Sequence, residues 1–195
     1  MKRRIAMAAL VLAGCAAQPS PVATPPAAQA AANRVALRNA GFEEPMPQKG
    51  NCPPGWSCSA HNGMAAFRFF VDAARPASGT HSGCVERVGR EPWALMTQAA
   101  PEIAPLRGKH VRFTAKVRVE GVVGDGGGVF ILAQGGSGQT LAHAKKQEQG
   151  TRFWNSMQVD LVVPQQAFVL EAGLVLEGTG MACIDDAVLE VVADK

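Results

Sequence analysis

The chain has 195 residues, of which 47% are hydrophobic and 6% aromatic, and it contains no tyrosine. Its 19 basic and 16 acidic side chains give a formal charge of +3, but Lys2, Arg3 and Arg4 supply that excess, and without them the balance is 16 against 16. A neutral chain presents no electrostatic footprint to a phosphate backbone, which excludes a nucleic-acid partner.

In chain order, the first element is a secretory signal over residues 1–14. Three bases precede an apolar run from Ile5 to Leu12, which is too short to span a bilayer as a permanent helix. It ends at Leu12-Ala13-Gly14-Cys15, a string that resembles the bacterial lipobox. The resemblance implies that Cys15 receives a diacylglyceryl group and becomes the mature N-terminus, and more than one acyl chain makes such an anchor stable. Ala16 follows, where an aspartate would favour the inner membrane. The expected location is therefore the outer membrane, facing the periplasm or the cell surface. Residues 15–33 are the lipidated cysteine and a Pro/Ala-rich tether: from Ala16 to Asn33 there are four prolines and neither a charge nor an aromatic ring. Such a composition cannot bury a core. Residues 34–195 have ordinary size for one domain.

An exported domain sits where disulfides form, and Cys52, Cys58, Cys84 and Cys183 allow three pairings. Cys52 with Cys58 closes a small loop rich in Pro and Gly, and Cys84 with Cys183 clips an early strand to the last one, so this pairing is favoured. The cysteine spacings match no common zinc pattern, and His61, His81, His110 and His143 form no paired motif.

Strict alternation marks half-buried strands. Apolar Val111, Phe113, Ala115, Val117 and Val119 alternate with polar neighbours, and the period recurs through Met157, Val159, Leu161 and Val163 and through Phe168, Leu170, Ala172, Leu174 and Leu176. A last set runs through Cys183, Asp185, Ala187, Leu189 and Val191, and shorter apolar runs at Ala65 to Val71 and Val129 to Ala133 add two strands. No segment has a helical period. The glycine-rich strings at Gly124 to Gly128 and Gly135 to Thr140 read as turns. The expected class is all-β, an antiparallel sandwich of the jelly-roll type or a closed barrel.

The order and spacing of NAGFEEP (Asn39 to Pro45), PPGW (Pro53 to Trp56), SGTHSG (Ser78 to Gly83), PLRGKHVRFTAKVRVE (Pro105 to Glu120) and GTGMACIDDAVLEV (Gly178 to Val191) resemble the galactose-binding-like jelly roll of many carbohydrate-binding modules. The resemblance covers most of the domain. It implies a structural calcium held by Glu43, Ser82, Gly83 and Asp185, with Glu44 and Asp186 as substitutes. On the strand period, Asp185 points to the core edge beside Ala187, where an unpaired carboxylate is costly; a cation, a hydrogen-bonded turn or an arginine would each satisfy it. The resemblance also makes Trp56 a core residue. Where the family carries a bulky aromatic pair before the last acidic residues, this chain has Cys183 and Ile184.

Sugar recognition combines an aromatic face with polar side chains that pair with hydroxyls. Trp93 is the candidate platform, with Arg90, Glu91 and Gln98 as polar neighbours, whereas Trp154 opens an alternating strand and reads as packed. Arg112, Lys116 and Arg118 form a basic stripe that suits either solvent or an anionic glycan. The segment Leu141 to Thr151 reads as a loop without the acidic and aromatic character of a sugar contact. The glycine-rich strings lack the Lys and Ser/Thr of a phosphate loop, and no Gly-X-Ser-X-Gly occurs. The adjacent carboxylates Glu43-Glu44 and Asp185-Asp186 would point to opposite strand faces, poor geometry for a shared acid and base. The expected function is a membrane-anchored, non-catalytic glycan-binding module. A protein-interaction or envelope-assembly lipoprotein on the same jelly roll is the alternative. An exposed Trp93 beside polar groups on a concave sheet distinguishes the first; a flat aliphatic face would favour the second.

Overall fold

The computed structural model describes residues 33–48 and 51–193, so the signal, Cys15 and the tether before Asn33 lie outside the described residues. The described residues form nine strands: β1 (Arg34–Val35), β2 (Ser57–Ala60), β3 (Phe67–Asp72), β4 (Ser82–Arg87), β5 (Trp93–Ala99), β6 (His110–Gln134), β7 (Thr140–Val162), β8 (Val169–Gly178) and β9 (Met181–Val192). Every pairing is antiparallel. Two short 3-10 turns, Met64–Ala66 and Ala104–Leu106, are the only helical pieces among the described residues.

Two strands run far longer than their alternating segments suggest. Residues 110–120 of β6 pair with β9, while residues 124–134 pair with β8, and β7 follows β6 along both halves. The chain thus turns a corner within one strand. The corner falls at Gly124 and Gly126, both at φ +127° and crowded by the backbone of a neighbouring strand, positions that a side chain would not tolerate. Gly124 to Gly128 is therefore the bend of β6 and not a hairpin loop, whereas Gly135 to Gln139 does form the turn into β7. Leu141 to Gly150 is strand too.

The result is an antiparallel β-sandwich of the jelly-roll type. One layer runs β2-β5-β8-β6-β7 and the other β3-β4-β9-β6-β7, with β1 added to β9. The ladder passes from one layer to the other through β6 and β7. It does not close into a barrel, because β2 pairs only with β5 and β3 only with β4. The expected apolar positions of β6, β7 and β8 meet between the layers: Phe113, Val117, Ile131, Met157, Leu161, Leu170 and Leu174 all belong to one core.

The period of β9 is the exception. Ala182 and Ile184 face the core, and so do Ala187 and Leu189, so the parity changes between them. The cause is a bulge: Lys116 pairs with Asp185 and Thr114 with Val188, leaving Asp186 and Ala187 opposite Ala115 alone, and Asp186 takes φ +50°. Cys183 and Asp185 consequently lie on the outer face, contrary to the sequence period. Cys183 there bonds Cys84, its direct partner across β4 and β9, and Cys52 bonds Cys58.

The segment before β2 hooks back onto the sandwich. Phe42, at φ +58°, stacks on Trp56 with ring centroids 4.7 Å apart, and the Trp56 indole N–H donates to the Asn39 carbonyl at 3.1 Å. Trp56 is buried, as expected of a core residue.

Candidate functional site

The outer face of the first layer carries a groove of about 730 Å³. Its lining comes from four long strands and the end of β2. Trp93 and Leu95 come from β5, Glu171, Val175 and Glu177 from β8, Phe130, Leu132 and Gln134 from β6, and Thr140 and His143 from β7, with Ser59 at the β2 edge. Strand register explains the assembly. Trp93 pairs with Glu177, Leu95 with Val175, and Glu171 with Leu132, which in turn pairs with His143; such partners share a face across the sheet. The groove thus joins an indole at one end to a phenyl ring and aliphatic floor in the middle, with hydroxyl, amide, imidazole and carboxylate groups around them.

Neighbouring side chains position the groove's carboxylates and the indole. His61 meets Trp93 edge-on, with ring centroids 6.0 Å apart, and its Nδ1 lies 3.2 Å from a Glu91 carboxylate oxygen. Lys145 forms an ion pair with Glu177, to which the Gln147 amide also donates at 2.8 Å. The Thr97 hydroxyl donates to Glu171 at 3.3 Å.

Of the expected ligand residues, Trp93 lines this groove and the other two do not. Gln98 alternates to the opposite side of β5, is 8% exposed, and spends its amide on the Arg38 backbone, accepting from N–H at 2.6 Å and donating to C=O at 2.8 Å. That pins the N-terminal hook. Arg90 is exposed in the loop before β5, outside the groove lining. Glu91 contributes indirectly, through His61. The outward members of β6 and β8 escaped sequence reasoning, although one signal was present. The run Val129-Phe130-Ile131-Leu132 is apolar on both strand faces, so one face must do something other than fill the core.

The residues expected to hold calcium surround a different place, the β3–β4 loop on the other layer, and their surroundings do not fit a cation. Asp185 is fully buried, but one carboxylate oxygen accepts from the Ala77 and Ser78 N–H groups at 2.9 and 3.1 Å, and the other from Asp186 N–H at 2.8 Å. Burial raises its pKa and those amides partly oppose the rise. Glu43 accepts from the N–H and hydroxyl of Thr80, which hold its pKa down to about 2. The loop therefore presents N–H donors where a hard cation requires oxygens. Gly83 has a packing reason of its own, since the Phe42 ring occupies the place of a Cβ. Ser82 is buried with an unpartnered hydroxyl. Of the substitutes, Glu44 pairs with Arg38 and Asp186 accepts from the Ser78 hydroxyl.

Two of the three bases of the stripe, Arg112 and Arg118, are likewise used internally. Arg112 pairs with Asp160 at 2.8 Å, and that hydrogen bond raises its pKa. Arg118, 2% exposed, bonds Asp72 and Glu120, lies 5.4 Å from the Trp154 ring centroid, and has its pKa lowered first by burial. It is not available to a glycan.

No protein-family model matches the chain, and no curated protein matches its sequence. Solved structures match its fold. The CBM22-1 xylan-binding domain from Paenibacillus barcinonensis Xyn10C is 19% identical, with a TM-score of 0.54 over 80% of this chain and 94% of that one. A putative sugar binding protein from Bacteroides thetaiotaomicron is 10% identical, with a TM-score of 0.57 over 80% and 99%. The enzymatically active domain of bacteriophage CBA120 tailspike protein 4 is 13% identical, with a TM-score of 0.57, but its match spans 71% of this chain and only 20% of the tailspike.

Proposed function

We propose that this protein is a non-catalytic glycan-binding module, held to the bacterial outer membrane through a lipid on Cys15, whose ligand lies in the Trp93–Phe130 groove. The observation that carries the reading is the groove itself. A half-buried indole flanks an apolar floor ringed by hydroxyl, amide and carboxylate groups, which is what the two faces of a pyranose require. A flat aliphatic sheet, which would have favoured a protein partner, is not what β5, β8 and β6 present. The neighbours described as xylan-binding and sugar-binding add support at the level of fold.

The carboxylates of the groove support a binding role. Glu171 and Glu177 stand on one strand six residues apart, a span of about 20 Å at the usual rise. Glycosidase pairs are separated by about 5 to 9.5 Å. The test is binding of the purified protein to a panel of neutral, amino-bearing and acidic polysaccharides, with Trp93→Ala alongside. Binding lost in the variant supports the reading; a protein that captures no glycan defeats it.

A further inference from the structure

The groove holds two carboxylates in unequal circumstances. Glu177 is neutralised by Lys145 and braced by Gln147. Glu171 is not: its hydrogen-bond partner is the neutral Thr97 hydroxyl. Its surroundings on each strand are also known. Thr97 and Ala99 lie on β5, Leu132 and Gln134 on β6, and His143 on β7, one strand beyond Leu132. His143 is exposed, and Lys145 is engaged by Glu177. No cation among the described residues pairs with Glu171, so the part of the groove distant from Trp93 carries one uncompensated negative charge beside the apolar floor.

From this we infer the class of glycan, resting on the glycan-binding reading: the groove takes a polysaccharide whose sugars bear free amino groups, Glu171 pairing with the ammonium, and it rejects uronic acids. One sugar of the chain stacks on Trp93, while another, farther along the groove, rests on the Phe130–Leu132 floor and brings its charged substituent to the half-buried Glu171 carboxylate. Such a charge-assisted hydrogen bond is favourable where water is partly excluded. A uronate at the same place would set like charges together, and an N-acetylated sugar would keep the stacking but lose the ion pair.

The experiment is calorimetric titration of the purified protein with three hexasaccharides, of glucosamine, of N-acetylglucosamine and of galacturonic acid, in mildly acidic buffer where the sugar amine is charged. Glucosamine hexamer should bind about fivefold more tightly than its acetylated form, the scale of a partly exposed ion pair, and the uronate most weakly. Glu171→Gln, close in shape to the native side chain, should bring the amino and acetylated forms to equal affinity while keeping the acetylated form's own affinity. His143 stands one strand beyond Leu132 and makes no ion pair with Glu171, so His143→Gln should leave the preference intact. The inference is overturned if the amino form is not preferred, if the uronate binds best, or if Glu171→Gln preserves the preference. Trp93-dependent binding without amino preference overturns this inference alone; absence of binding to all three, and to neutral glycans, overturns the reading beneath it.

Discussion

At Asp185 and Glu43 the same loop is held by opposite electrostatic balances. Asp185 is buried and anchors three N–H groups, so truncation leaves those donors without their acceptor. Asp185→Ala should cost about 3 kcal/mol in urea unfolding, since unmet buried donors cost about 1 to 3 kcal/mol each and the exposed loop will recover part of that through water. Because N–H donors already fill the carboxylate's coordination, a chelator or added calcium should leave the thermal midpoint unchanged. A calcium-dependent rise would show that the loop can turn its carbonyls inward.

Glu43 supplies the pH dependence. Its pKa, lowered from 4.5 to about 2 by Thr80, means that the unfolded chain takes up its proton first as the medium is acidified. Its contribution is full above pH 4.5 and is lost as pH falls toward 2. Asp185 runs the other way, because burial raises its pKa and makes its charge less favourable as pH rises through that range. Comparing Glu43→Gln with the native protein separates the two. The gap in melting temperature should be widest above pH 4.5 and close on acidification, and a gap independent of pH would contradict the assignment.

At the scale of elements, the two disulfides differ in what they restrain. Cys84–Cys183 closes a separation of 99 residues and joins neighbouring strands of one layer, whereas Cys52–Cys58 closes a separation of 6. In the chain-entropy picture the first is worth about 4 to 5 kcal/mol and the second about 2 kcal/mol. Replacing both cysteines of each pair with alanine should reproduce that order in equilibrium denaturation. The reverse order would indicate that the unfolded chain is already restrained near β4 and β9.

Alternation made the inward faces of β6, β7 and β8 legible, since the period of two depends only on one buried face. It failed where the backbone departs from regularity. The bulge at Asp186 exchanges the faces of β9, so that the period groups Asp185 with Ala187 although they point apart. A positive φ at a non-glycine residue leaves no mark in the pattern. The corner at Gly124 and Gly126 was visible as glycine but not as a bend within a strand, because a tight turn and a corner ask the same backbone freedom of the same residue. The groove was half legible. Trp93 stood out as an aromatic ring in a polar segment, while Glu171 and Phe130 stayed hidden because their function depends on cross-strand register, a property of the fold and not of either strand alone.

For the whole molecule, the consequence of the groove depends on where the domain is held. Residues 15–33 are free of charge and rich in proline. On the proposed lipid anchor at Cys15, glycan capture would become a matter of local concentration, in which weak binding to many repeats suffices. Cys15→Ser tests the arrangement. The native protein, expressed in a bacterium given labelled palmitate, should carry label and sediment with outer-membrane vesicles. The variant should lose the label and pass into the soluble fraction with its melting temperature and its glycan affinity unaltered, because the groove lies wholly within residues 59–177. Label retained in the variant would place the lipid at another residue and overturn the role of Cys15, and a native protein that fractionates as soluble would place the domain free in its compartment and remove the avidity on which a weak groove depends.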